Sequence, residues 1–196
     1  LQYYKEKNDT GGSNMVYVHL ATGFEEIEAL TIVDLLRRAN IEVQTVSITG
    51  EKRVVGTHGV PVEADILYEE ADYENCQMIV LPGGLPGAEH LGNHEGLTSH
   101  IRCFAENGKY LAAICAAPMV FGAQGVLEGK KATIYPGMEE LLKGARPQSD
   151  LVVEDGTVIT SRGPATAMPF ALKLVEILKG KEVSSQLEQD LLWNLR

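Results

Sequence analysis

Short apolar and β-branched runs alternate along the chain with longer segments in which apolar positions recur at helical spacing. The runs Val16–Ala21, Glu42–Thr49, Met78–Leu81, Tyr110–Ile114 and Ala132–Ile134 predict β-strands. Helical spacing predicts α-helices over Glu25–Ala39, Leu97–Glu106, Ala116–Gln124 and Met138–Leu142. In the first of these, Ile27, Leu30, Val33 and Leu36 form the expected buried stripe, and Asn40 is placed to close the helix in a left-handed cap. Asn107-Gly108 closes the second.

Towards the end, "LVVEDGTVITS" reads as a hairpin turning on Asp155-Gly156, an antiparallel element beside the parallel strands. Pro164 then opens a helix reaching Gly180, its first half disturbed by Pro169, and a last amphipathic segment covers Val183–Trp193. Alternation of this kind predicts an α/β fold: a three-layer sandwich with a mostly parallel sheet and helices on both faces.

The polar residues 1–14, ending in Gly11-Gly12-Ser13-Asn14, read as a tag, an extension or a mobile arm, which leaves 15–196 as a single domain. With 196 residues the chain can bury one substantial core. Its net charge of -10 argues against a nucleic-acid surface, which needs a basic face. No apolar run reaches the length of a membrane span, and no signal-peptide pattern is visible, so a cytoplasmic protein is expected. The three cysteines, Cys76, Cys103 and Cys115, include no CxxC pair, which suits a reducing compartment.

In an open parallel sheet, ligands collect at the C-terminal ends of the strands. Three features of the sequence fall there: Glu25-Glu26-Ile27-Glu28, "LPGGLPG" after Met78–Leu81, and Cys115 inside "AAICAAP". Cys115 sits at a strand-to-helix elbow, where a side chain stands exposed and a helix N-terminus favours the thiolate. Glu28 lies beside the buried stripe and can hydrogen-bond the thiolate and move protons, whereas Glu25 and Glu26 suit a solvated helix start. The backbone of Gly83 and Gly84 can approach closely enough to hold a developing oxyanion, together with the amide of Ala116.

His90 and His94 are spaced for a metal, but Gly92 between them favours a solvated loop, and no metal site is expected. His19 reads as a satisfied core residue, and packing accounts for Cys76 and Cys103.

Taken together, "GFEEIEALTIVDLLRRA" at 23–39, "IVLPGGLPGAEHL" at 79–91, "AAICAAP" at 112–118 and "TSRGPATAMPFALKLVEILKGKEV" at 160–183 resemble the DJ-1/PfpI superfamily, whose fold is like that of the class I glutamine amidotransferases. The resemblance implies a flavodoxin-like sandwich, a reactive cysteine at Cys115, an acid at Glu28 and a diglycine at Gly83-Gly84. It also implies a homodimer with the site near the interface. A second-subunit arginine of the Parkinson-associated branch falls on His58, and a histidine near the cysteine falls on Tyr135.

The proteases of the superfamily carry histidine directly after the cysteine; here that residue is Ala116. Tyrosine is a poor base near neutral pH, so a cysteine protease or amidase is disfavoured. The resemblance instead implies a glyoxalase or deglycase acting on α-oxoaldehydes such as methylglyoxal and glyoxal, with no cofactor. The alternative is a redox-responsive stress or chaperone protein in which Cys115 is oxidised. Both expect a thiol of low pKa.

Overall fold

A computed structural model describes residues 15–193; the reading of residues 1–14 lies outside the described residues. The first half of the chain runs β1 (Met15–Leu20), α1 (Glu26–Arg38), β2 (Val43–Ser47), β3 (Arg53–Val55), β4 (Pro61–Glu63), β5 (Ile66–Leu67), β6 (Cys76–Leu81), α2 (Gly87–Asn93) and α3 (Glu95–Glu106). It continues with β7 (Tyr110–Ile114), α4 (Pro118–Ala123), β8 (Lys131–Ala132), β9 (Arg146–Pro147), β10 (Val152–Asp155), β11 (Val158–Ser161), α5 (Ala167–Lys179) and α6 (Lys181–Asp190).

Seven strands form one sheet in the order β10-β11-β7-β6-β1-β2-β5, parallel throughout except for the β10–β11 hairpin. Strands buried on both faces have to be apolar on both, and β1, β6 and β7 are: Val16, Val18, Met78, Val80, Ala112 and Ile114 pack towards α1 and α5, while Tyr17, Ile79, Leu81, Leu111 and Ala113 pack towards α2, α3 and α4. This is the expected three-layer sandwich. Strand order reverses between β1 and β6, since β2 and β5 extend the sheet one way and β7 and β11 the other. The crevice at that reversal, above the C-terminal strand ends, is where such folds bind ligands.

Several local expectations are corrected. In α1 the buried side chains are Ala29, Ile32, Val33, Leu35 and Leu36 together with Glu26 and Glu28, while Ile27 is 57% exposed and Leu30 40%. The first turn of the helix lies over the crevice, so its inner positions are given to carboxyl groups and the stripe begins one turn later. Asn40 does adopt the left-handed conformation, at φ 54.

Ala132–Ile134 is not a strand of the main sheet: only Lys131–Ala132 pairs, with Arg146–Pro147, and the amide of Thr133 donates to the Thr160 hydroxyl of β11 (2.9 Å) instead of to a ladder. Met138–Leu142 shrinks to one 3-10 turn, Glu139–Leu141, between Gly137 and Gly144 at positive φ. The hairpin turn is Gly156-Thr157, one residue later than expected, because Asp155 pairs with Val158.

Pro169 is accommodated in the first turn of α5, where its missing N–H costs nothing. The short strands β3, β4 and β5 carry too little apolar pattern to be seen in sequence. The β3–β4 hairpin nevertheless covers a small core of Leu20, Phe24, Ala29, Val54 and Ala64 beside the crevice.

Candidate active site

β7 ends at Ile114, and Cys115 follows with φ 63, a left-handed conformation that costs a residue with a side chain about 1–3 kcal/mol. The surrounding backbone holds it there. The Cys115 amide donates to Ser161 O (3.0 Å) on β11, its carbonyl accepts from the Tyr135 amide (2.9 Å), and the Ala117 amide closes the turn on Ile114 O (3.1 Å). Pro118 then opens α4. The elbow leaves Cys115 half-buried, with its side chain directed at Glu28 and the diglycine.

Glu28 is fully buried. Its Oε2 accepts the Gly83 amide at 2.8 Å, and its carboxyl and the Cys115 side chain both crowd Gly83. Oε1 is buried without a hydrogen-bond partner. Burial pushes this carboxyl up to about 7; the thiol and the Gly83 amide pull it back, and the charge of Glu25 raises it further. Glu28 therefore titrates in the neutral range, where a group can both accept and donate a proton.

The expected low-pKa thiol is corrected. Burial pushes Cys115 up to about 12, and the charge and hydrogen bond of Glu28 add to it, while amides of Ala116 and Gly84 directed at the sulfur oppose the rise. A six-residue helix contributes too little dipole to outweigh burial beside a carboxylate. Loading the proton on Glu28 changes the balance, because it removes the like charge and turns the carboxyl into a hydrogen-bond donor to sulfur.

The two glycines have different reasons. A Cβ on Gly83 would lie 2.5 Å from Cys115 Cβ and 2.7 Å from Glu28 Oε2, so only glycine lets the strand end approach the pair. Gly84 stands at φ 89, and a Cβ there would meet the Glu25 amide at 2.5 Å. Their amides also diverge: that of Gly83 is committed to Glu28, while that of Gly84 faces the sulfur. Of the two glycines expected to cradle an oxyanion, Gly83 has its amide bonded to Glu28.

Tyr135 enters through its backbone, and its ring, 47% exposed, lies over Gly163. His58 sits in the β3–β4 loop and is 71% exposed at its side chain. It pairs within the chain: Nδ1 is 2.9 Å from Glu26 Oε2, and its amide donates to Glu26 Oε1 at 2.7 Å.

Glu26 also accepts the Val60 amide (3.3 Å), so the expected solvated glutamate is a buried clamp between α1 and the hairpin. Burial raises its carboxyl, but the hydrogen bonds from the His58 side chain and from the amides of His58 and Val60 hold it below the usual range. Glu25 is buried too. It is the N-cap of α1, its Oε2 accepting the Glu28 amide at 2.7 Å, and its own amide donates to Gly83 O at 2.8 Å.

Neither Glu25 nor Glu26 was singled out by its pattern; the local signal is the N-cap spacing of Glu25 to Glu28. Glu25, Glu26 and His58 bring ligand-type atoms within 4.8 Å of one another, but these atoms already bond to each other and to backbone, which makes the group a clamp.

The remaining histidines are elsewhere. His90 and Gly92 are helical, in α2, and His90 Nδ1 faces Thr22 O (3.0 Å), whereas His94 caps α3 by accepting the Leu97 amide (3.1 Å). Both line a cavity of about 310 Å³ at the β1–β2 edge. His19 is fully buried, its Nε2 paired with Tyr73 Oη (2.7 Å) and its Nδ1 unpartnered; burial lowers its pKa to about 3 and keeps it neutral. Packing explains buried Cys76 but not Cys103, which is exposed.

Residues 14–177 match the model of the DJ-1/PfpI family. Protein DJ-1 homolog B of Arabidopsis thaliana is 41% identical over 91% of this chain; the chain spans only 41% of that relative's length. Glutathione-independent glyoxalase DJR-1.2 of Caenorhabditis elegans is 31% identical over 83% of this chain and 87% of its own. The structure of oxidized Toxoplasma gondii DJ-1 superposes with a TM-score of 0.87 at 38% identity, covering 91% of this chain and 97% of the other.

Proposed function

The chain belongs to the DJ-1/PfpI family, and from that premise we propose that it is a cofactor-independent, cysteine-dependent enzyme of the glyoxalase or deglycase kind. Its substrates are α-oxoaldehydes such as methylglyoxal and glyoxal, or their early adducts, and its products are 2-hydroxy acids. The observation that carries this reading is the buried Glu28–Cys115 pair, with the carboxyl pushed up to about 7 and no histidine on the sulfur.

Ionised Glu28 takes the thiol proton as sulfur adds to the aldehyde carbon, and the amides of Gly84 and Ala116 face the sulfur where the new bond forms. Protonated Glu28 then neutralises the alkoxide to a hemithioacetal. The same carboxyl moves a proton from the former aldehyde carbon to the neighbouring carbon, while the hemithioacetal hydroxyl proton passes to the neighbouring carbonyl oxygen, giving a 2-hydroxy acid thioester. Water cleaves it to lactate or glycolate and restores the thiol. A group titrating near the working pH suits all three transfers. A peptidase lacks support, since the histidine that the superfamily's proteases carry directly after the cysteine is Ala116 here.

Two further elements belong to this reading. The chain acts as a homodimer through α1, where Ile27 and Leu30 are exposed, and the β3–β4 loop, where Val60 is exposed. His58 and Tyr135 line the mouth of the pocket, His58 reaching the partner's site. Among the described residues no helix is long and apolar enough to cross a membrane.

Consumption of methylglyoxal, with lactate as product, is expected for the unmodified protein. It should fall about 100-fold or more in Cys115→Ala and in Glu28→Gln. Absence of turnover together with selective peroxide oxidation of Cys115 would replace this reading with a redox-responsive one. The oxidised state of the Toxoplasma relative makes that the second reading.

A further inference from the structure

We infer that the cavity at the C-terminal ends of β1 and β2 is a second small-molecule site, built for a neutral planar ligand with an amide edge, an N–H beside a C=O. Pyrimidine bases and nicotinamide carry such an edge. Neither Glu28 nor Cys115 lines this cavity, so the inference is independent of the proposed function.

The cavity, about 310 Å³, lies just beyond Leu20 and Ser47, where an open parallel sheet presents its strand ends to ligands. Ala21 and Ile48 give it apolar wall. The Thr49 hydroxyl is turned to Glu51, donating to its carbonyl at 3.0 Å and accepting its amide at 3.2 Å. What specifies a ligand is therefore chiefly the two imidazoles, His90 and His94.

Their backbone neighbours fix opposite tautomers. His90 Nδ1 is 3.0 Å from Thr22 O, and a carbonyl only accepts, so Nδ1 carries the proton and Nε2 presents a lone pair. His94 Nδ1 accepts the Leu97 amide at 3.1 Å, so its proton sits on Nε2, which presents a donor. One ring asks for an N–H and the other for an acceptor. The two residues are four apart across the last turn of α2, a spacing that sets Cβ atoms about 5–6 Å apart, so one small ligand can meet both rings. Tyr68 packs edge-on against His94, 4.3 Å between centroids, and holds that ring from a second side.

The same tautomers disfavour other ligands. A metal held by both rings needs two Nε2 lone pairs, and His94 offers one only by giving up the Leu97 bond. A phosphate or carboxylate would face the His90 lone pair, and no lysine or arginine lines the cavity to offset it. An amide edge meets both demands: its C=O accepts from His94 and its N–H donates to His90. Thr22 and Asn93, exposed at the mouth, can take either role towards the rest of the ligand.

Nitrogen NMR of the two imidazoles at mildly alkaline pH tests the tautomers, with the proton expected on Nδ1 of His90 and on Nε2 of His94. Titration with uracil or with nicotinamide should then shift both rings, the tighter of the two showing which source of the amide edge fits, with a dissociation constant of about 1 mM or below. N,N′-dimethyluracil keeps both carbonyls but has no N–H, and should bind about tenfold more weakly than uracil because the His90 lone pair goes unmet. His94→Asp retains a cap acceptor and removes the donor, and should weaken binding by a similar factor. Should that variant fail to fold, His90→Phe, which keeps a ring and removes the acceptor, carries the same expectation.

A proton on Nδ1 of His94 overturns the inference, as does dimethyluracil binding as tightly as uracil, which would make the cavity merely apolar. So does a site that answers to Zn²⁺ and not to either amide, or rings that fail to respond to about 20 mM of uracil and of nicotinamide.

Discussion

Glu26 and Glu28 are two residues apart in the first turn of one helix, both buried, and they are treated in opposite ways. Glu26 receives two backbone amides and the His58 ring, and its carboxyl is held below the usual range. Glu28 receives one amide, leaves Oε1 without an N–H or O–H partner and is pushed up to about 7. The difference is one of hydrogen-bond supply. A buried carboxyl given enough donors becomes a permanent anion and a structural clamp, and one given too few becomes a proton carrier.

The strongest way to break the Glu28 side is steric. Gly83→Ala puts a methyl 2.5 Å from Cys115 Cβ, 2.7 Å from Glu28 Oε2 and 2.9 Å from Ile114 O, two of these on or beside the backbone. The expected cost is about 3 kcal/mol of stability, with loss of the proposed methylglyoxal turnover. Denaturant unfolding together with the methylglyoxal assay measures both; a variant as stable and as active as the unmodified protein would mean that the close approach is dispensable.

Next in size, and of opposite sign, is Glu28→Gln. A carboxyl raised from 4.5 to about 7 on folding contributes stability that is complete below the unfolded value and lost as pH rises through the folded one. Above neutral pH the folded protein carries an undersupplied buried anion, which glutamine does not. Glu28→Gln should therefore be more stable than the unmodified protein by about 2 kcal/mol near pH 8, with the gap closing towards about pH 5. Thermal melts across that range read the gap directly, and a gap that widens on acidification would contradict the assignment. A site that stabilises the protein when disabled is what a functional proton carrier predicts.

Glu26→Gln should do the reverse and less. Its carboxyl is lowered on folding, so its contribution is present above the unfolded value of 4.5 and lost as pH falls through the folded one. A loss of about 1 kcal/mol at neutral pH, vanishing in acid, is expected from weaker bonds to His58 and the two amides.

The contrast between these neighbours also marks how far sequence reaches. The parallel sheet, its helices and the convergence of Glu28, Gly83-Gly84 and Cys115 on one edge follow from apolar runs, glycines and the elbow, because those are local patterns. What decides the chemistry is not local. Donors to Glu26 come from residues 58 and 60, across a hairpin whose strands of three residues left no pattern to read. The phase of α1 was misread for the same reason: Ile27 and Leu30 look like core until the inner side of the first turn is known to hold carboxyls. The thiol was misjudged because its helix is short and its burial invisible in sequence.

The finest test of the comparison removes only the His58 ring. His58→Ala keeps the backbone amide on Glu26 Oε1 at 2.7 Å and the Val60 amide at 3.3 Å, deleting the 2.9 Å contact from Nδ1. Because that ring is 71% exposed, water replaces much of what it gives, and a loss of about 0.5 kcal/mol is expected. Chemical denaturation at neutral pH resolves a loss of this size against Glu26→Gln. If His58→Ala costs as much as Glu26→Gln, the ring rather than the backbone supplies the clamp. If it costs a fraction, as the amide geometry indicates, Glu26 is an anion because the β3–β4 loop offers it N–H groups, and Glu28 is a proton carrier because Gly83 offers it only one.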